Sequence, residues 1–137
     1  MPYVFVYGSL RKGLQNHGKL MNANYVGTFK TSDTYYMIGL KSKAYPYVTC
    51  SKLHESLQAS HITGELYKVD DDLLKELDAL EGHPHNYKRT EHIINDYKAF
   101  IYLLENEEMK SDIMTSFERR FVSVISGDWV DFLMQFK

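Results

Sequence analysis

Two features of the chain have residue types and placement suited to chemistry: Glu81, and the run Tyr7-Gly8-Ser9-Leu10. Residues 71–81 read as a helix. At about 100° per residue, Leu73, Leu77 and Leu80 fall within about 60° of one another, with Leu74 at the edge of the stripe. Glu81 falls about 80° from Leu73, inside that stripe, whereas Asp78 lies just beyond its edge. One carboxylate is therefore expected on the face the helix buries, in its last turn. Burial penalises its charge and the negative end of the helix dipole repels it, so a raised pKa is expected. Such a group suits proton transfer near neutral pH. A glutamate beside a glycine C-cap can also swing into solvent, and structural ion pairs perturb carboxylates too, so the pattern alone leaves a purely structural role open.

The run at 7–10 is a short β segment entering a glycine turn. Successive backbone N–H groups in such a turn form an anion-binding concavity, and Gly8 permits close approach of a ligand. Arg11 and Lys12 follow at once. Neither the phosphate-loop nor the dinucleotide-loop glycine pattern is present, so a carboxylate is the anion that fits. A plain strand-ending turn is the competing reading. His83-Pro84-His85 lacks zinc-site spacing and a third ligand, so no metal site is expected. Nothing local activates Cys50, which reads as a small hydrophobe, and Ser9 is not in a nucleophile elbow.

The elements that must position these residues are short. Residues 3–7, 24–29, 34–40 and 62–69 read as strands, and 44–49, with Pro46 inside it, reads as an edge or a turn. Asp70-Asp71-Asp72 caps the start of the 71–81 helix and Gly82 stops it. Residues 88–94 and 97–104 read as a hairpin joined by Asn95-Asp96, the second strand apolar on both faces and hence central. A helix is expected near 111–121, and Gly127-Asp128-Trp129 opens a last short apolar element.

The 137 residues are 44% hydrophobic and 25% charged, the composition of one globular domain spanning 1–137. Sixteen Lys plus Arg against eighteen Asp plus Glu leave a net charge of −2, which carries no footprint for nucleic acid. A single cysteine excludes an internal disulfide and an all-cysteine metal site. The longest strongly apolar run, 99–104, is far below the ~20 residues of a membrane helix, and the N-terminus lacks the basic region of a signal peptide, so a cytoplasmic protein is expected. Eleven Tyr, seven Phe and one Trp suit strands and a polar-rimmed pocket for a small molecule.

Val4-Phe5-Val6-Tyr7-Gly8-Ser9-Leu10 with Arg11-Lys12-Gly13 and Asn16-His17 resembles the opening of γ-glutamyl cyclotransferase-like proteins. Gly64-Glu65-Leu66-Tyr67, then Leu77-Asp78-Ala79-Leu80-Glu81-Gly82, Tyr87 and Arg89, resembles that family's central block. The resemblance runs through the strand at 99–104 and fades after about residue 110. The compact length and the Tyr-Gly-Ser-Leu form look most like the γ-glutamylamine cyclotransferase branch, which more often has Thr where Ser9 stands.

The resemblance implies an α+β fold, a small mixed β-barrel with a few packed helices. It also implies an enzyme that needs no cofactor and cleaves γ-glutamyl amides, such as γ-glutamyl-ε-lysine, to 5-oxoproline and a free amine. Glu81 would be the catalytic base and acid, and Tyr7, Gly8, Ser9 and Leu10 the substrate-binding loop. Two alternatives stay open at this point: a binding module for an amino-acid-like ligand on the same fold, and a cyclotransferase for γ-glutamyl amino acids or glutathione. Oligomeric state has no sequence signal.

Overall fold

A computed structural model describes residues 1–135. Its strands are β1 (Tyr3–Val6), β2 (Asn24–Leu40), β3 (Pro46–Thr49), β4 (Ser60–Lys68), β5 (Tyr87–Ile94), β6 (Tyr97–Leu104) and β7 (Phe121–Ser123). Its helices are α1 (Asp71–Glu81), α2 (Glu107–Arg120) and α3 (Trp129–Met134), and His17–Leu20 forms a single 3-10 turn. The strands form one sheet in the order β3-β2-β4-β1-β6-β5, with β7 also paired to β2. All pairings are antiparallel except β1 with β6, so the sheet is mixed. The sheet curls into a half-barrel, the open form of the barrel expected from the sequence. Across its gap Tyr35 of β2 meets His92 of β5, the phenol oxygen 2.9 Å from Nδ1.

The concave side is filled by Phe5, Met37, Ile62, Leu66, Ile101 and Trp129, all at most 2% exposed. On the other face, Val4 and Val6 pack against Leu73, Leu74 and Leu77 of α1. Ile113 and Phe117 of α2 pack with Ile38, Tyr47 and Leu104. Burying a large apolar side chain contributes roughly 1.5–3 kcal/mol, so these contacts dock the helices onto the sheet. Among the described residues no helix is long and apolar enough to cross a membrane.

Helix α1 keeps the expected limits because both ends are capped locally. The Asp70 carboxylate accepts from Leu73 N at 2.7 Å, and Gly82 adopts the left-handed conformation at φ 66°. The hairpin turn is also as read, with Asn95 and Asp96 both at positive φ, and β6 is central.

Four expectations change. The segments 24–29 and 34–40 form one strand, because Thr31 fills the irregularity between them: its hydroxyl donates to Asp33 O and accepts from Ile62 N. Helix α2 begins four residues early because the Asn106 side chain caps it, accepting from Met109 N at 2.9 Å. Strand β7 is unanticipated, being only three residues long. Leu80, placed in the buried stripe of α1, is 41% exposed, since the helix ends over an opening rather than over the sheet.

Candidate active site

The opening beside the end of α1 is a cavity of about 390 Å³. Tyr7, Gly8, Ser9, Leu10 and Glu81, the residues singled out from the sequence, all line it. Strand β1 delivers the first four as it leaves the sheet, and the last turn of α1 delivers Glu81.

Glu81 is half-buried and has no hydrogen-bond or ion-pair partner among the described residues. Burial pushes its carboxyl up from an ordinary 4.5 to about 7. Tyrosines surround the carboxyl, and its charge helps to oppose ionisation of Tyr7, Tyr87 and Tyr102, whose own burial is the larger cause. Two of these phenols are committed elsewhere. Tyr7 OH donates to the Tyr102 carbonyl at 2.5 Å, and Tyr102 OH donates to Asp78 Oδ1 at 2.7 Å. The other Asp78 oxygen takes a 2.5 Å ion pair from Arg89. Asp78, one helical turn before Glu81, thereby ties the end of α1 to β5 and β6 while drawing the Tyr102 proton away from Glu81. A carboxylate surrounded by hydroxyls that do not donate to it stays basic.

The loop has a marked polarity. The carbonyls of Gly8, Ser9 and Leu10 accept from Arg11 N (2.9 Å), Asn16 N (2.9 Å) and His17 Nδ1 (3.0 Å) respectively. Ser9 Oγ accepts from the Asn16 amide at 2.8 Å. The backbone N–H groups of Gly8, Ser9 and Leu10 donate to nothing among the described residues. Unspent donors at a cavity wall are the equipment of an anion site. Gly8 does not need an unusual φ. Its close approach is to Pro46, whose Cδ would lie 3.0 Å from a Cβ at position 8.

Arg11 and Lys12 do not serve the cavity. Arg11 is 6% exposed and turned inward, its Nε 3.0 Å from Glu65 Oε2 and its Nη1 2.9 Å from Asp128 Oδ1. Glu65 also accepts from Lys12 N and Tyr67 OH, so this buried network clamps the loop onto β4. The Lys12 ammonium lies 5.3 Å over the Tyr25 ring. Among the described residues, no Lys, Arg or His lines the cavity, and Glu81 is the one carboxyl that does.

His83, set aside as a ligand, has a structural contact: its Nδ1 accepts from Arg89 N at 2.9 Å. Cys50 is exposed and does not line the cavity. The sequence reading missed Tyr45, Tyr47, Asn86 and Asn106, which complete the walls. Their only sequence signal is the abundance of tyrosine, because their convergence depends on strand order.

A family model described as gamma-glutamyl cyclotransferase, AIG2-like, matches residues 4–131. A Methanocaldococcus jannaschii protein, provisionally named a gamma-glutamylcyclotransferase, is 40% identical over 133 residues, which cover 96% of this chain and 98% of that protein. The gamma-glutamylaminecyclotransferase of Rattus norvegicus is 31% identical over 97 residues, covering 66% of this chain and 61% of that one. Among solved structures, a Pyrococcus horikoshii protein superposes with a TM-score of 0.72 at 21% identity, covering 98% of this chain and 95% of its own, a likeness of fold. With the family match spanning nearly the whole chain over this half-barrel and cavity, the protein belongs to the gamma-glutamyl cyclotransferase, AIG2-like family.

Proposed function

We propose that the chain cleaves γ-glutamyl amides to 5-oxoproline and a free amine, with γ-glutamylamines such as γ-glutamyl-ε-lysine as its substrates. One observation carries the reading: Glu81, an unpaired carboxyl with a pKa of about 7, shares a cavity with a loop of three unspent backbone donors.

The substrate's α-carboxylate binds the N–H groups of Gly8, Ser9 and Leu10. Its α-ammonium sits near Glu81, which removes a proton and exposes the nitrogen lone pair. That nitrogen attacks the γ-carbonyl carbon, closing a five-membered ring. The C–N bond to the leaving amine then breaks, and protonated Glu81 delivers its proton to the departing nitrogen. In total the attacking nitrogen sheds two protons on becoming the lactam N–H. The departing amine ends protonated at neutral pH, and no water is consumed. Because the reaction is intramolecular, holding the glutamyl chain folded supplies much of the acceleration. Tyr7, its hydroxyl fixed on the Tyr102 carbonyl, shapes that fold rather than donating a proton.

The test is 5-oxoproline release from γ-glutamyl-ε-lysine, glutathione and a glutaryl amide of lysine, which lacks the α-amine. The expected order is γ-glutamyl-ε-lysine above glutathione, whose glycine carboxylate meets no basic lining residue among the described residues, and none from the glutaryl amide. Preference for glutathione overturns the substrate assignment, and release of the amine from the glutaryl compound overturns the mechanism.

A further inference from the structure

Gly127-Asp128-Trp129, which opens the last apolar element, takes no part in the chemistry above, yet its contacts lead to the substrate loop. Strand β1 leaves β4 at Val6, opposite Glu65, and the chain turns away to form residues 7–10. Two residues before Glu65, β4 therefore lies past the end of β1. The turn at Gly127 takes the vacated place, and Thr63 N donates to Gly127 O at 2.8 Å. The seat admits only glycine. Gly127 stands at φ 69°, and a Cβ there would lie 2.2 Å from the His61 carbonyl oxygen. Trp129, 1% exposed, anchors the other side of the turn in the concave core with Phe5 and Tyr7.

Between these anchors, one carboxylate oxygen of Asp128 serves two donors. Oδ1 accepts from Asp131 N at 3.1 Å, which caps α3, and from Arg11 Nη1 at 2.9 Å. Arg11 follows Leu10 directly, and its own N–H holds the Gly8 carbonyl at 2.9 Å. Its Nε is fixed 3.0 Å from Glu65, so the guanidinium is held by β4 on one side and by the turn on the other. A guanidinium held at one nitrogen pivots about that contact, whereas contacts at two nitrogens fix its plane. The backbone attached to it is fixed as well. Donors already aimed at one point bind an anion more tightly than donors that must be ordered on binding.

On the cyclotransferase reading above, we propose that Asp128 is a positioning residue for γ-glutamyl substrates. By holding Arg11 from the turn, it keeps the N–H groups of Gly8, Ser9 and Leu10 aimed at the substrate's α-carboxylate. Glu81 is positioned through a separate set of contacts, those of Asp78 with Arg89 and Tyr102. Loss of Asp128 therefore weakens substrate binding and leaves the proton transfer in place.

Two substitutions separate this role from the capping of α3. Asp128→Ser keeps an N-cap residue but is too short to reach Arg11, whereas Asp128→Asn keeps an acceptor of the same reach for both donors. The Asp128 side chain is 28% exposed, so neither change opens the core. With γ-glutamyl-ε-lysine, Asp128→Ser should raise KM for 5-oxoproline release about fivefold or more, with kcat within about twofold of wild type. The acid limb of its pH profile, set by Glu81, should stay near 7. Asp128→Asn should recover most of the lost KM. Calorimetry with the unreactive glutaryl amide of lysine should show the same loss of affinity in the Ser variant. A wild-type KM in Asp128→Ser, or a loss confined to kcat, overturns the proposal and leaves the cyclotransferase reading standing. Absence of 5-oxoproline release by the wild-type chain overturns that reading, and the proposal with it.

Discussion

Replacing Glu81 by Gln should separate two consequences of the same buried carboxyl, one catalytic and one energetic. The side chain keeps its size and loses its charge. In the folded chain the carboxyl holds its proton up to about pH 7, against 4.5 ordinarily. The folded value lies above the unfolded one, so the folded state binds more protons between those limits and stability falls as pH rises through that window. At about 1.4 kcal/mol per pH unit the full displacement corresponds to about 3.4 kcal/mol, of which about 2.5 kcal/mol falls between about pH 5 and pH 8.5. Glu81 is half-buried rather than sealed, and solvent screens part of the field, so about 1–2.5 kcal/mol is expected. Gln escapes this loss. Its stability relative to wild type, read from urea unfolding, should improve by that amount between about pH 5 and pH 8.5. The same variant should lose about 10²–10⁴ in kcat while still binding substrate. Wild-type kcat/KM should rise with pH on its acid limb through about 7, because the base must be ionised to act. A stability difference between Gln and Glu that is flat with pH would refute the buried-carboxyl reasoning. Near wild-type turnover by the variant would remove Glu81 from the mechanism.

Two further perturbations address the loop. Gly8→Val forces a Cβ to within 3.0 Å of Pro46 Cδ and crowds the N–H groups at 8–10, so KM should rise about tenfold or more, whereas Ser9→Thr should stay within about threefold of wild type. The opposite pattern, in proteins with unchanged thermal unfolding, would replace the backbone site with a side-chain contact. Arg11→Met leaves Glu65 buried without its cation, and urea unfolding should show a loss of about 3–5 kcal/mol; a loss below about 1 kcal/mol would mean the network does not clamp the loop.

The features legible in the sequence are those set within a few residues. Helix α1 and the placement of Glu81 follow from the leucine spacing with Asp70 and Gly82 as caps, all inside three helical turns. The Asn95-Asp96 turn and the strand-to-glycine loop at 7–10 are equally local. The cap at Asn106 was local as well, but the polar residues after it hide the apolar period that marks a helix start. Tertiary structure decided the rest. Arg11 directly follows the loop in sequence, but its partners are Glu65, 54 residues on, and Asp128, 117 residues on, and no local pattern announces them. Leu80 belongs to the stripe by angle, yet the sheet does not extend beneath it. Tyr45, Tyr47, Tyr87 and Tyr102 become one wall because β3 and β6 are brought to the same end of the half-barrel. Periodicity and caps act through the backbone of a single turn, whereas the partners of a buried charge and the walls of a cavity depend on strand order and register, which are settled by burial across the whole sheet.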